Sequence, residues 1–166
     1  MPTTKIMRME KISVMTIDVG APAPDFELRD QHGQTVRLSD FRGSKNVVLV
    51  FFPFAFTRVC TGEMGALQDD LPSLQNDSVQ VLAVSCDTMF TQRAYSEQEG
   101  LQFPVLSDFW PHGDLATRYG VFDEARGCAL RGTFVIDMDG IVRWKVVHAI
   151  PDARDQFDYL KVLAEL

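Results

Sequence analysis

Apolar positions along this chain fall into two rhythms. After Asn46, residues 47–52 form an unbroken apolar run rich in β-branched and aromatic side chains. Such a run reads as a strand buried on both faces, and Pro53 ends it. Residues 79–85 predict a second buried strand. Residues 26–29 and 35–38 predict two short strands joined by the turn Asp30-Gln31-His32-Gly33. Met64, Leu67, Leu71 and Leu74 recur at intervals of three and four, the stripe of a helix that starts near Cys60. Pro72 is expected to kink or end it. Residues 88–100 predict another helix, with Asp87 as N-cap and Gly100 as stop. A short strand is expected at 103–106 and a short helix at 113–119, ending at Gly120. Residues 132–137 and 141–147 read as a hairpin around Met138-Asp139-Gly140. Residues 152–166 read as a closing amphipathic helix.

This order predicts an α/β protein: a mixed central sheet with helices on both faces and an N-terminal β-hairpin. A thioredoxin-like fold is the simplest architecture that fits. The 166 residues suit one domain. Its expected extent is residues 20–166, opening at Ala21-Pro22-Ala23-Pro24. Residues 1–19 are expected to be a tail or an added strand, with Met7, Met9 and Met15 as alternative starts.

Charge narrows the partners. Sixteen basic and 23 acidic residues give a net −7, and the basic ones are scattered. Neither nucleic acid nor an anionic membrane is an expected partner. No apolar run reaches the ~20 residues of a membrane helix. The N-terminus lacks the apolar core and cleavage site of a secretory signal. Three cysteines, Cys60, Cys86 and Cys128, are too few for a disulfide framework. With no close Cys or His pairs, no metal site and no cofactor are expected. A reducing cytoplasm is the expected compartment.

Chemistry concentrates at residues 53–63. Cys60 follows a buried strand and starts a helix, where free backbone N–H groups and the helix dipole favour a thiolate. Thr57, three residues earlier, can bring its hydroxyl to the sulfur or to a bound oxygen. On the pattern alone, an inert buried cysteine at a helix start fits equally well. A dithiol reductase would need a second cysteine beside Cys60; positions 57 and 63 are Thr and Glu.

Pro53, Thr57 and Cys60 stand in the register P-x-x-x-T-x-x-C, which resembles the peroxiredoxin signature. Residues 131–137, Arg-Gly-Thr-Phe-Val-Ile-Asp, are similar to the peroxiredoxin segment whose arginine reaches the active site. The resemblance runs from Ala-Pro-Asp-Phe at 23–26 to the last helix. Cys-Thr-Gly-Glu at 60–63, Leu-Ser-Asp-Phe-Trp-Pro-His-Gly at 106–113 and Tyr-Gly-Val-Phe at 119–122 resemble the one-cysteine alkyl hydroperoxide reductase E subgroup.

The resemblance implies a thiol-dependent peroxidase acting on hydrogen peroxide and organic hydroperoxides. Cys60 would attack a peroxide oxygen and become a sulfenic acid. Arg131, the Thr57 hydroxyl and the backbone N–H groups of Val59 and Cys60 would stabilise the departing oxygen. Pro53 would wall the pocket. Glu63 is read as a helix-start or salt-bridge residue, Arg58 as solvated or ion-paired, and His112 as a turn residue. Phe109 and Trp110 line an entrance, an interface or the core.

For recycling, position 65 is Gly and no cysteine follows Cys128. Cys86 is read as core. Cys128 lies an odd three residues before Arg131, which in one extended segment would face it away. An outside reductant is therefore expected: a low-molecular-weight thiol, then a glutaredoxin-like or thioredoxin-like protein. A homodimer is expected. A redox sensor or holdase that does not turn over is the alternative use of the same thiol.

Overall fold

The computed structural model describes residues 16–154 and 157–166. The part of the expected tail at residues 1–15 lies outside the described residues. The elements are β1 (Glu27–Arg29), β2 (Thr35–Arg37), a 3-10 turn (Leu38–Phe41), β3 (Asn46–Phe51), α1 (Arg58–Asp69), α2 (Leu71–Leu74) and β4 (Val79–Ser85). Then come α3 (Met89–Glu99), β5 (Val105–Ser107), α4 (Asp114–Arg118), β6 (Phe122–Asp123), β7 (Cys128–Ala129), β8 (Arg131–Ile136), β9 (Val142–His148) and α5 (Phe157–Ala164).

The seven strands of the main sheet run in the order β2-β1-β5-β4-β3-β8-β9. β3, β4 and β5 are parallel neighbours, while the β1–β2, β1–β5, β3–β8 and β8–β9 pairs are antiparallel. This is the mixed sheet of a thioredoxin-like fold. Strand alternation divides the core in two. Val48, Val50 and Phe52 face one cluster with Met64, Leu67, Tyr95 and the α5 residues Leu160 and Leu163. Val47, Leu49 and Phe51 face the other, with Leu115, Ala116 and Tyr119 of α4. Every residue of β3 is buried, so apolar packing on both faces holds the strand that leads into residues 53–60.

Local signals explain most element ends. Gly100 stops α3 in the left-handed region, at φ 65, where other residues are strained. Gly140 closes the β8–β9 turn at φ 80, and the Asp137 carboxylate accepts from the N–H groups of Asp139 and Ile141. The Ala-Pro opening docks on the far edge, with Pro22 bridged to Ile141.

Four expectations are corrected. Asp87 does not cap α3; Thr88 does, its hydroxyl accepting from Thr91 N–H at 3.2 Å. The first long helix breaks at Asp70, and Pro72 sits in the first turn of α2, where its missing N–H costs nothing. Residues 152–154 are not helical, because the Arg154 N–H is taken by the Glu63 carboxylate at 2.8 Å. Core packing of Phe109 and Trp110 is excluded: they are 46% and 82% exposed. The β6–β7 ribbon was not expected. Among the described residues, no helix is long and apolar enough to cross a membrane.

Candidate active site

The loop from β3 to α1 delivers Cys60 to the third position of α1, after Thr57 as N-cap. Cys60 continues the stripe of Met64 and Leu67 one turn back, so the periodicity that packs the helix also buries the sulfur. Its residue is 0% exposed. The Thr57 side chain makes no cap bond, and its hydroxyl donates instead to Phe54 O at 2.8 Å. It does not donate to the sulfur, but its lone pairs stay open. The first-turn N–H groups of α1 therefore lack a side-chain acceptor and can serve an anion.

Arg131 opens β8, the antiparallel neighbour of β3, and reaches across to the helix. Its Nη1 donates to Cys60 Sγ at 3.3 Å and also to Glu63 Oε1, while Nε donates to Ile150 O at 2.5 Å. Pro53, Phe54, Thr57, Val59, Arg131 and Ile150 line an open depression, with the exposed Arg58 and Arg126 at its edge. Pro53, Thr57 and Arg131 thus share one pocket, and Arg131 links it to the sulfur beneath.

Sequence reasoning missed Arg154. Its Nε donates to Glu63 Oε2 at 2.8 Å and Nη2 to Oε1 at 3.0 Å. Nη1 donates to Phe51 O at 2.6 Å and Gly132 O at 3.0 Å, tying the ends of β3 and β8 together. The side chains of Arg131, Arg154 and Glu63 are only 2%, 3% and 6% exposed. Glu63 is thus the salt-bridge residue it was read to be. A buried carboxylate on the packed face of α1 was the one available signal that a second buried cation had to exist. Nothing local told which arginine supplied it.

Among the described residues the charges do not cancel: two guanidiniums and one carboxylate leave one positive charge in the interior. An unbalanced buried charge costs several kcal/mol. A thiolate brings the cluster to neutrality.

Burial alone would raise the Glu63 carboxyl, but the hydrogen bonds and charge of Arg154, then the charge of Arg131, hold it below its ordinary value. Its stabilising contribution is present above the unfolded-state value and is lost as pH falls through the depressed folded one. Denaturant unfolding between about pH 6 and about pH 3 is expected to show a steeper acid loss in the parent protein than in Glu63→Gln. Parallel curves would assign the acid sensitivity to another group.

The other two thiols differ. Burial, then the charges of Asp108 and Cys128, push Cys86 up to about 12. Burial, then the charge of Asp123, push Cys128 up to about 11. The odd-offset argument for Cys128 does not apply, because the chain changes sheets at Leu130: β7 belongs to the small ribbon and β8 to the main sheet. All three cysteines are free and buried. The His112 ring contacts Phe109 O at 3.2 Å and Gly127 O at 2.7 Å, outside this site, as a turn residue would.

The model of the AhpC/TSA family matches residues 19–145. Alkyl hydroperoxide reductase E of Mycobacterium tuberculosis is 49% identical over 150 residues, covering 90% of this chain and 98% of that protein. A putative peroxiredoxin in the rubredoxin operon of Clostridium pasteurianum is 36% identical over 157 residues, covering 87% and 86%. Among solved structures, Enterococcus faecalis AhpC superposes with a TM-score of 0.81 at 28% identity, covering 91% and 92%. Peroxidoxin BcpB of Mycobacterium tuberculosis superposes at 0.79 with 30% identity, covering 89% and 97%. The family model and these relatives match most of the chain's length, and the chain belongs to the AhpC/TSA family, the peroxiredoxins.

Proposed function

We propose that this chain reduces hydrogen peroxide and organic hydroperoxides with the Cys60 thiolate and is recycled by an outside thiol. The observation that carries the reading is the Arg131 guanidinium 3.3 Å from Cys60 Sγ, in a buried cluster that carries one excess positive charge among the described residues. The thiolate attacks one peroxide oxygen, forming the S–O bond as the O–O bond breaks. The other oxygen leaves with the electron pair, takes a proton and departs as water or an alcohol. Cys60 is left as a sulfenic acid, oxidised by two electrons. Arg131, the first-turn N–H groups of α1 and the Thr57 hydroxyl supply donors where charge develops on the departing oxygen. Turning toward that oxygen costs Thr57 its bond to Phe54 O. Pro53, buried at the pocket wall, keeps water from the reacting atoms.

Recycling needs two thiols. The first displaces hydroxide from the sulfenic acid, releasing water and leaving a mixed disulfide. The second reduces that disulfide and restores Cys60. Neither internal cysteine suits the first role. A thiol at about 11 is ionised in only about one molecule in ten thousand at neutral pH. A low-molecular-weight thiol, followed by a glutaredoxin-like or thioredoxin-like protein, fits. Three free cysteines suit a cytoplasmic setting. The exposed Phe54, Phe56, Phe109 and Trp110 suit a homodimer, and residues 20–166 form the working unit.

The test adds one equivalent of peroxide to the reduced protein, then dimedone, and takes the intact mass. One dimedone adduct, mapped to Cys60, is expected, with continued peroxide consumption once thiol is supplied. A Cys60–Cys128 or Cys60–Cys86 disulfide formed before labelling would overturn the outside-thiol cycle. One equivalent consumed and no turnover with thiol would mark a sensor instead.

A further inference from the structure

Two arginines at the mouth of the active-site depression have no part in the cycle above. Arg58 stands at the first position of α1, and Arg126 in the turn between β6 and β7. Both line the depression together with Arg131. Arg58 is exposed, and among the described residues no carboxylate pairs with it. Arg126 is 62% exposed and meets Asp123 at 3.4 Å, a solvent-exposed pair that holds it only weakly.

Stability does not explain this placement. A cation in the first turn opposes the helix dipole, which favours an anion there, and α1 has no acidic residue in that turn. Arg58, Arg126, Arg131 and the helix start therefore set positive charge around one opening, in a chain of net charge −7. A cleft lined by one sign of charge concentrates ions of the other sign. Arg126 is also held in position by its turn. Asp123 Oδ1 accepts from the N–H groups of Ala125 and Arg126 at 3.0 and 3.1 Å, and the Gly127 N–H donates to Asp123 O at 2.8 Å. The His112 ring contacts Gly127 O at 2.7 Å and ties the turn to the loop before α4. These bonds fix a ribbon that has only two residues per strand. Shape agrees with charge. The depression holds about 330 Å³, within the range of small-molecule sites and far more than hydrogen peroxide fills. Phe54, Val59, Ile150 and Pro151 give it apolar walls.

We propose that Arg58 and Arg126 form an anion subsite at the mouth of the Cys60 depression, which binds a carboxylate carried by the reacting molecule. A reactant of this class has a hydroperoxide or a thiol at one end, an apolar body, and a carboxylate at the other. The subsite deepens the function proposed above and rests on it. It selects among hydroperoxides and, on the outside-thiol reading, among low-molecular-weight thiols. Among the described residues it is Arg131 that bonds the sulfur. Arg58 and Arg126 therefore set specificity, while bond making stays with Cys60 and Arg131.

The experiment compares the parent protein with the double variant Arg58→Gln/Arg126→Gln. Three reagent pairs are used, each a carboxylate and a neutral counterpart. Iodoacetate and iodoacetamide alkylate Cys60, with the adduct mapped by mass. Ring-carboxylated cumene hydroperoxide and cumene hydroperoxide oxidise it. 3-Mercaptopropionate and 2-mercaptoethanol reduce the sulfenic acid. Each result is the ratio of carboxylate to neutral rate, so the intrinsic reactivities of the reagents cancel between proteins. In the double variant the ratio is expected to fall about fivefold for alkylation and for at least one half-reaction. The half-reaction that moves names the source of the carboxylate, hydroperoxide or thiol. About 1 M salt is expected to bring the parent's ratios toward the variant's. Arg37→Gln/Arg118→Gln removes the same charge at exposed ion pairs outside the depression and is expected to keep the parent's ratios. Ratios unchanged in both half-reactions, or an equal fall in the Arg37/Arg118 control, would overturn the subsite. Alkylation needs neither peroxide nor recycling thiol. A parent protein that consumes no peroxide refutes the peroxidase reading, and the alkylation ratio then judges the subsite. A disulfide formed before dimedone reacts refutes the outside-thiol reading, and the alkylation and hydroperoxide ratios judge it.

Discussion

Cys60→Ser is expected to lose peroxide reduction to background, a fall of about a thousandfold or more. The serine hydroxyl stays protonated near neutral pH even beside Arg131, and a neutral hydroxyl is a poor nucleophile toward a peroxide oxygen. The same change at Cys86 is expected to leave the rate nearly intact. Burial and the neighbouring charges of Asp108 and Cys128 hold Cys86 at about 12, so it contributes no thiolate to lose. Peroxide consumption with excess thiol reads both variants in one assay. Turnover in Cys60→Ser above the protein-free rate would refute the nucleophile. A large loss in Cys86→Ser with an unchanged thermal midpoint would give Cys86 a part in the chemistry.

Arg131→Met is expected to slow the peroxide half-reaction by about a hundredfold to a thousandfold, the usual cost of removing one donor from a developing oxyanion. The side chain does three things at once: it donates to Cys60 Sγ, to Glu63 and to Ile150 O. Arg131→Lys keeps the charge but not the planar fork that spans those acceptors, so it is expected to recover only a small part. Glu63 keeps its bonds from Arg154 in both variants, so the fold survives to be measured. Reduction of the sulfenic acid by added thiol, which breaks no O–O bond, is expected to change far less. Equal loss in both half-reactions would make Arg131 a structural residue only.

The elements that could be read from sequence are those whose signal is local. β4 runs over the expected residues 79–85 because alternate positions feed the two halves of the core. α3 stops at Gly100 because no other residue takes that φ without strain. The β6–β7 ribbon, two residues per strand, is too short to carry a period. Asp87 and Thr88 are adjacent and equally able to cap a helix; only the bond from Ala55 to Asp87 separates their jobs. At the site, Pro53, Thr57 and Cys60 lie within one loop and declare themselves as a motif. Arg131 came from resemblance. Arg154 meets Glu63 across 91 positions, and no periodicity or spacing reaches that far.

That distance bears on when reactivity arises during the life of a molecule. Cys60 meets Arg131 across 71 positions, and Glu63 meets Arg154 across 91. Contacts of such long loop closure form only after the two halves of the chain have come together. A growing or unfolded chain therefore carries Cys60 without the Arg131 guanidinium against its sulfur. The hazardous oxidation chemistry switches on only once the surrounding fold can contain it.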